Sequence, residues 1–409
     1  KPVEIEVDAT DATIKAHIWR VQVGRNLLLL LDADVEGNTP EDRELTHVLY
    51  HGDRKVRLRQ ELLLGVGGMR ALRALRIKPG VYHLNEGHSA FAPLEAAYWL
   101  MQDEGLSFYD AKARVARQTV FTTHTPVPAG HDRFDPAMLD RTMNPLRQRH
   151  GLDHYHFHAL GRVNPNNPHE TFCMTVLALK MSEYRNGVSN LHGHVSREMW
   201  NGLWPHFEQN KVPIGHITNG VHTSTFLAPQ MRTLYNRHLD VGWEDRMDQP
   251  DAWAGMKNVE HGELWEVHQV LKSQLIDFIH RRVQEQVAPR GTASGAIVPG
   301  SGFDPDVLTI GFARRFATYK RATLLFRDYS RLAPSERNLF KILMLDPRYR
   351  SDPASFRGMA KRLVALKRNG EIVVVDAKGR ELEKYKVPYG STVLAAERRA
   401  EERRSGLPG

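Results

Sequence analysis

The 409-residue sequence contains a single cysteine, Cys173, so no intramolecular disulfide can staple it. A fold without staples has to rest on its core, and a chain of this length is expected to divide into two domains. No apolar run comes near the roughly 18 to 20 residues that a bilayer span needs, and no basic, apolar, small-residue cleavage pattern opens the chain. A reducing, cytoplasmic setting is therefore expected. The longest apolar run, Leu27 to Leu31, reads as a buried strand, and Cys173, inside the apolar run Phe172 to Leu179, as a small buried hydrophobe.

Nor does the bulk of the chain have an excess of one charge. The net charge of +8 resides after residue 328, where 18 Lys and Arg face 10 Asp and Glu; residues 1–328 carry 38 of each sign. A basic partner-binding surface would thus concern only the last fifth. With few aromatics there, Phe356, Tyr385 and Tyr389 among them, and no complete nucleic-acid motif, nucleic acid is an unlikely partner. At 41% hydrophobic and 25% charged residues, the composition is that of a water-soluble fold.

What is present is a recurring local grammar: a short apolar run, then a polar cluster rich in His, Asn, Thr or Arg, then a helix or a Pro/Gly turn. It recurs at Gly80-Val-Tyr-His-Leu-Asn-Glu-Gly-His-Ser-Ala90, Thr119-Val-Phe-Thr-Thr-His-Thr-Pro-Val-Pro128, Ile214-Gly-His-Ile-Thr-Asn-Gly-Val-His-Thr223 and Leu308-Thr-Ile-Gly-Phe-Ala-Arg-Arg315. Helical patterns lie between, over Pro93 to Gln102, Thr171 to Tyr184 and Glu260 to Val287. Strands alternating with such helices predict an α/β fold around a parallel sheet, whose ligands bind beyond the carboxyl ends of the strands. Pro289 to Gly302 reads as a connector. In the tail, Ala354 to Arg368 and Ala395 to Arg404 read as helices, and Glu371 to Asp376 with Glu383 to Val387 as two strands joined at Lys378-Gly379.

The polar clusters carry the chemistry. Arg315 and Lys320, with Tyr319 between them, sit where a strand leads into a helix, and unpaired N–H groups and the helix dipole favour phosphate there; a solvated basic helix start would look the same. His124, just past a strand, suits hydrogen bonding or acid–base work, and equally a structural histidine. Glu86 and His88 could meet a sugar or cap a helix, and Asn219-Gly220 could be a turn. His154-Tyr-His-Phe-His158 puts imidazoles at alternate positions, but it follows a charged stretch and lacks cysteines and carboxylates beyond Asp153. It reads as an exposed helix start or loop, and no metal is assigned.

In combination and order, Trp19-Arg-Val-Gln-Val-Gly24, Asn38-Thr-Pro-Glu-Asp-Arg43, Leu64-Gly-Val-Gly-Gly68, Asn85-Glu-Gly-His88, Thr122-Thr-His-Thr-Pro126, Ile217-Thr-Asn-Gly220 and Gly311 to Arg321 resemble the α-glucan phosphorylases of the short bacterial type, from about Trp19 to Asp328. The resemblance implies two facing Rossmann-like domains (the GT-B arrangement) and pyridoxal phosphate as cofactor. It also implies transfer of a glucosyl unit from an α-1,4-glucan to inorganic phosphate, giving glucose 1-phosphate. By the matched motifs, Arg315 and Lys320 would hold phosphate with Tyr319 nearby, His124 would contact the glucosyl unit, Asn219 a sugar hydroxyl, and Glu86 with His88 the acceptor side. The domains would be residues 1–216, 217–328 and a basic divergent tail at 329–409, both Rossmann-like halves incomplete and the tail an unrelated α+β piece. The family's cofactor lysine, in a Gly-rich Met-Lys motif, has no counterpart in this sequence, so the chain is expected to be inactive alone. Glu371-Ile-Val-Val-Val-Asp-Ala-Lys-Gly-Arg-Glu381 with Tyr385-Lys-Val-Pro-Tyr-Gly390 resembles instead a hairpin segment of the largest subunit of bacterial RNA polymerase, the mark of an unrelated junction or a divergent end. Two other functions remain open: a nucleotide-sugar-dependent glucan glycosyltransferase resembling glycogen synthase, with Arg315 and Lys320 on a diphosphate, and a nucleic-acid-binding tail on a degenerate carbohydrate domain.

Overall fold

A computed structural model describes residues 3–49, 51–287, 305–306, 309–313, 341–345, 363–367, 371–375 and 381–386. The chain separates into two compact units, Lys1–Gly220 and Val221–Gly409.

The first unit opens with an antiparallel sheet of β1 (Glu4–Asp8), β2 (Thr13–Val23) and β3 (Asn26–Asp32). Val23 pairs with Asn26 across a two-residue turn, and Gly24 takes the positive φ (56°) that such turns ask for. Past His17 the ribbon runs on without β1, and its apolar residues face outward. Leu27, Leu28 and Leu30 are 41 to 49% exposed, so the five-leucine run is a strand as expected but not a buried one; a two-stranded ribbon has no second layer to cover it. Next come α1 (Pro40–Arg43), α2 (Arg54–Leu62), a wide helical turn at Leu63–Gly67 and α3 (Gly68–Ala74). Two of the sequence stretches singled out above belong to this packing. Asn38 donates to the Lys15 and Ala33 carbonyls and accepts from the Lys15 N–H, each at 2.8 Å. Asp42 takes both ends of the buried Arg59 guanidinium at 2.8 and 2.6 Å. Gly65 lies so close to Phe91 and the Ala92 N–H that a Cβ would sit 2.8 and 2.9 Å from them.

The central element is a four-stranded, wholly parallel sheet in the order β4-β5-β8-β9: β4 is Tyr82–Asn85, β5 Thr119–Thr123, β8 Tyr184–Gly187 and β9 Gly215–His216. Around it lie α4 (Ala92–Glu104), α5 (Phe108–Ala116), α6 (Pro136–Arg149), α7 (His154–Ala159), α8 (Met174–Lys180) and α9 (Asn190–Trp200), while β6 (Arg133–Phe134) pairs antiparallel with β7 (Phe172–Cys173). Ser107, Asp135, Asp153 and Ser189 cap α5, α6, α7 and α9 by accepting first-turn N–H groups. Leu84 and Phe121 from the strands, Phe91 and Leu94 from α4, Val176 and Leu177 from α8 and Trp200 from α9 belong to one buried cluster. Pro93 to Gln102 is helical as expected. Thr171 to Tyr184 is not a single helix: Phe172–Cys173 is strand, α8 starts at Met174, and Tyr184 opens β8. Its stretch Phe172 to Leu179 is buried throughout and apolar except for Thr175, so periodicity could not separate its strand from its helix. Cys173 is buried as expected, which pushes its thiol pKa up.

In the second unit, after the short α10 (Thr223–Phe226), α11 (Pro229–His238) and the long α12 (His261–Val287), which fits the expected Glu260 to Val287, share a small core of Met231, Leu234 and Val259 flanked by Leu264, Val267 and Leu271. Further on, β10 (Thr309–Ala313) pairs parallel with β11 (Lys341–Leu345). The antiparallel set of β12 (Leu363–Lys367), β13 (Glu371–Val375) and β14 (Glu381–Lys386) contains the hairpin expected in the tail. It also corrects the helix expected up to Arg368: Leu363–Lys367 is a strand. Lys367 pairs with Glu371, and the Asn369-Gly370 dipeptide between them is a hairpin signal stronger than the helical spacing. The connector Pro289 to Gly302 and the helix Ala395 to Arg404 lie outside the described residues.

Candidate active site

Because all four strands of the central sheet run parallel, the segments that follow Asn85, Thr123, Gly187 and His216 emerge at the same end of it. This is the end at which the strand-end motifs were expected to gather.

Glu86 organises that end. Its backbone has φ 65° and ψ −178°, a region open essentially only to glycine. Its N–H donates to the Thr122 carbonyl at 2.9 Å, and its buried Oε1 accepts from the His124 N–H and from the Thr125 hydroxyl (2.9 Å). The turn that follows is close against α8, where a Cβ on Gly87 would come within 3.0 Å of Met174 and 3.1 Å of the Thr175 N–H.

His124 is thereby fixed by its backbone while its side chain stays exposed. The imidazole Nε2 makes a 2.7 Å hydrogen bond with Asn85 Oδ1. That bond makes Nε2 the donor and leaves Nδ1 as an acceptor. Beneath them, Thr122 Oγ1 donates to Asn186 Oδ1 at 3.0 Å and meets His83 Nε2 at 2.7 Å, linking neighbouring strands. On the far side of the sheet Ile217 N–H donates to the Gly187 carbonyl (3.0 Å) and Asn219 N–H to the Val188 carbonyl (3.1 Å), with the Asn219 side chain exposed. His131 and His192 are buried, and their Nε2 atoms have no hydrogen-bond partner among the described residues.

His88 parts company with Glu86. Its Nδ1 lies 3.3 Å from Glu61 Oε1 and 3.4 Å from Asp132 Oδ2, and the Arg57 guanidinium reaches all three groups. Burial pushes Glu61 up to about 8. Burial opposes the charge on His88, but its bonds to Asp132 and Glu61 prevail and lift it to about 9. Burial likewise opposes the Asp132 anion, and its bonds to His88 and Glu61 with the Arg57 charge hold it well below the usual carboxylate range. Glu61, His88 and Asp132 could by spacing hold a metal ion; with Arg57 already bonded to both carboxylates, the positive charge they need is in place.

Arg315, Tyr319 and Lys320 lie outside the described residues. Of the residues singled out in the sequence, the structure therefore brings Glu86 and His124 together through backbone and side chain, sets Asn219 at the same end of the sheet, and assigns His88 to a neighbouring ionic cluster. Sequence reading passed over Thr125, Arg57, Glu61 and Asp132. Thr125 stood inside a quoted stretch, whereas nothing local could show that Asp132, or Arg57 and Glu61 on α2, face His88.

Comparison with known proteins agrees with this arrangement. The carbohydrate phosphorylase family model matches residues 38–293, more than half of the chain. The maltodextrin phosphorylase of Thermococcus litoralis is 43% identical over 332 residues, 81% of this chain and 38% of its own length. The glycogen phosphorylase of Mycobacterium tuberculosis is 42% identical over 344 residues (81% and 39%), and that of Aquifex aeolicus 36% over 323 (79% and 46%). The chain thus spans less than half the length of these relatives. Among the described residues no helix is long and apolar enough to cross a membrane. A family model over more than half of the chain, with relatives at 36 to 43% identity over about four fifths of it, shows the family: the chain is a member of the carbohydrate phosphorylases.

Proposed function

We propose that the carboxyl end of the parallel sheet is the glucosyl-binding wall of an α-1,4-glucan phosphorylase site, in which a phosphate oxygen bonds to C1 of the terminal glucose as the C1–O4 glycosidic bond breaks, giving glucose 1-phosphate and a glucan one unit shorter whose O4 takes a proton. The observation that supports it is Glu86: a glycine-only backbone conformation held by a residue whose carboxylate fixes His124 and Thr125 while leaving the His124 ring open to a ligand. Strain of about 1–3 kcal/mol of this kind gathers at functional sites. With Nε2 committed to Asn85, His124 offers Nδ1 to a sugar hydroxyl, and Asn219 offers its amide from the same end of the sheet. Glu86 acts as a positioning residue and does not itself line the acceptor side. Arg315 and Lys320, with Tyr319, supply the phosphate clamp, a planar fork and a point charge suited to phosphate oxygens. Residues 217–328 are read as the beginning of the second Rossmann-like domain of a GT-B arrangement, and 329–409 as a divergent tail.

The family implies pyridoxal phosphate, whose phosphate group supplies acid–base chemistry beside the substrate phosphate. The residues described do not fit its attachment. The described lysine most perturbed by burial, Lys180, at about 8, donates to the Ala159 and Arg162 carbonyls at 2.7 and 2.6 Å, which ties it to the chain there. Ligand binding is accordingly the property to measure. In saturation-transfer NMR of the full chain with maltoheptaose and phosphate, magnetisation is expected to reach the glucan, and His124→Ala and Asn85→Ala to lose that transfer. Transfer to UDP-glucose in its place would favour a nucleotide-sugar glycosyltransferase, and transfer unaffected by either substitution would remove His124 from the site.

A further inference from the structure

The histidine-rich run His154 to His158 forms the short helix α7, which puts His154 and His158 four residues apart on one face. Asp140 of α6 faces the same side. His154 Nδ1 lies 3.1 Å and His158 Nε2 2.8 Å from the same carboxylate oxygen, Asp140 Oδ1, and the three atoms are all within 4.8 Å of one another. The two rings are nearly parallel, 16° apart with centroids at 6.0 Å. From this convergence we infer a divalent transition-metal site, of the class that takes Zn2+, Co2+ or Ni2+, with Asp140, His154 and His158 as ligands, joining α6 to α7.

Two imidazoles and one carboxylate are a donor set that such ions accept, with a fourth position left for water. Metal–ligand bonds of about 2.0–2.2 Å in a tetrahedron separate neighbouring ligand atoms by roughly 3.3 Å, so the two contacts to Asp140 need to open by only a few tenths of an ångström. Burial is graded to match: the His158 side chain is 4% exposed, Asp140 32% and His154 60%, so the inner ligands are already held and the outer one opens to solvent. His156, on the opposite face of α7, is engaged by Asp153 at 2.8 Å and takes no part. To bind, each ring must bare the nitrogen it turns to Asp140. For His154 the proton moves to the solvent-facing Nε2. For His158 it moves to Nδ1, 3.5 Å from the Arg162 guanidinium, a donor that cannot accept it. That nearby charge limits the affinity to the micromolar range.

The test is calorimetric titration of the metal-free full chain with Zn2+, beside His154→Ala, whose exposed ring leaves the fold intact, and Asp140→Asn, which keeps an acceptor for both rings but loses the anionic ligand. One equivalent of micromolar binding present in the wild type and lost in both variants is expected. Co2+ should show visible bands of four-coordinate geometry that vanish with His154→Ala. Equal Zn2+ stoichiometry and affinity in wild type and His154→Ala, or Co2+ spectra indistinguishable between them, would overturn the site and leave the trio a hydrogen-bonded link between two helices.

Discussion

Replacing Glu86 offers a test in which sign, as well as size, is fixed by the structure. Glu86→Ala removes two charge-assisted hydrogen bonds, from the His124 N–H and the Thr125 hydroxyl, each worth about 1.5–3 kcal/mol. Yet alanine keeps the strain at φ 65°, ψ −178°. Glu86→Gly loses the same bonds but relieves about 1–3 kcal/mol of strain, against about 0.5–1 kcal/mol for the added freedom of the unfolded chain. Glycine should therefore be the more stable of the two by about 0.5–2 kcal/mol, the reverse of the usual order, and Glu86→Gln, which keeps an acceptor, should lie nearer the wild type. Urea unfolding of the three variants, followed by tryptophan fluorescence, reads the order directly. If alanine proves equal to or more stable than glycine, the backbone there is not strained, and Glu86 loses its role as the organiser of the site.

The ionic cluster should make stability fall on the alkaline side. His88, raised from 6.5 to about 9, contributes fully below pH 6.5 and loses its contribution as pH rises through 9; Glu61, raised from 4.5 to about 8, works in the same direction between those values. His88 alone accounts for a loss of roughly 3 kcal/mol between pH 6.5 and 9, and His88→Gln should reduce the slope of denaturation curves taken across that range. Asp42→Ala leaves the buried Arg59 guanidinium without its bidentate partner, at about 3–5 kcal/mol, measurable by the same unfolding assay with no change in ligand binding. Gly187→Ala puts a methyl 2.8 Å from His192 Nδ1 and 2.9 Å from the Gly193 N–H. Overpacking of about 1–3 kcal/mol should appear as a lowered Tm, with α9 shifted at its start.

The parts legible in the sequence are those in which one local rule decides. The polar ends of β4, β5 and β9 could be placed because an apolar run followed by His, Asn or Thr has few other uses, and α12 because its apolar spacing holds for several turns. What escaped depends on partners far along the chain. Leu27 to Leu31 reads as buried, but burial requires a second layer, and β3 has only the ribbon partner β2 over most of its length. Phe172 to Leu179 is apolar but for Thr175 and buried throughout, so nothing local marks where β7 gives way to α8. The carboxylate beside His154 and His158 comes from Asp140, in the preceding helix, and the expected exposed helix start or loop is a helix whose Phe157 and His158 are buried, which the charged residues before it do not show.

Long-range pairing also explains why Glu86 and His88, two residues apart, do different work. The positive φ at Glu86 turns the chain sharply after β4, sending the Glu86 carboxylate across to the end of β5 and His88 toward Arg57 and Glu61 on α2. An extended chain would instead place residues i and i+2 on the same face. One backbone conformation thus separates a carboxylate that fixes the ligand-facing loop from an imidazole that ties α2 to Asp132 on the loop before β6. Both contacts hold the Thr122 to Phe134 segment, at His124 and Thr125 on one end and Asp132 on the other. The exposed His124 ring is consequently carried on a backbone anchored at two points, and such a scaffold would let a single side chain meet the proposed sugar hydroxyl without the entropy of ordering a loop on binding.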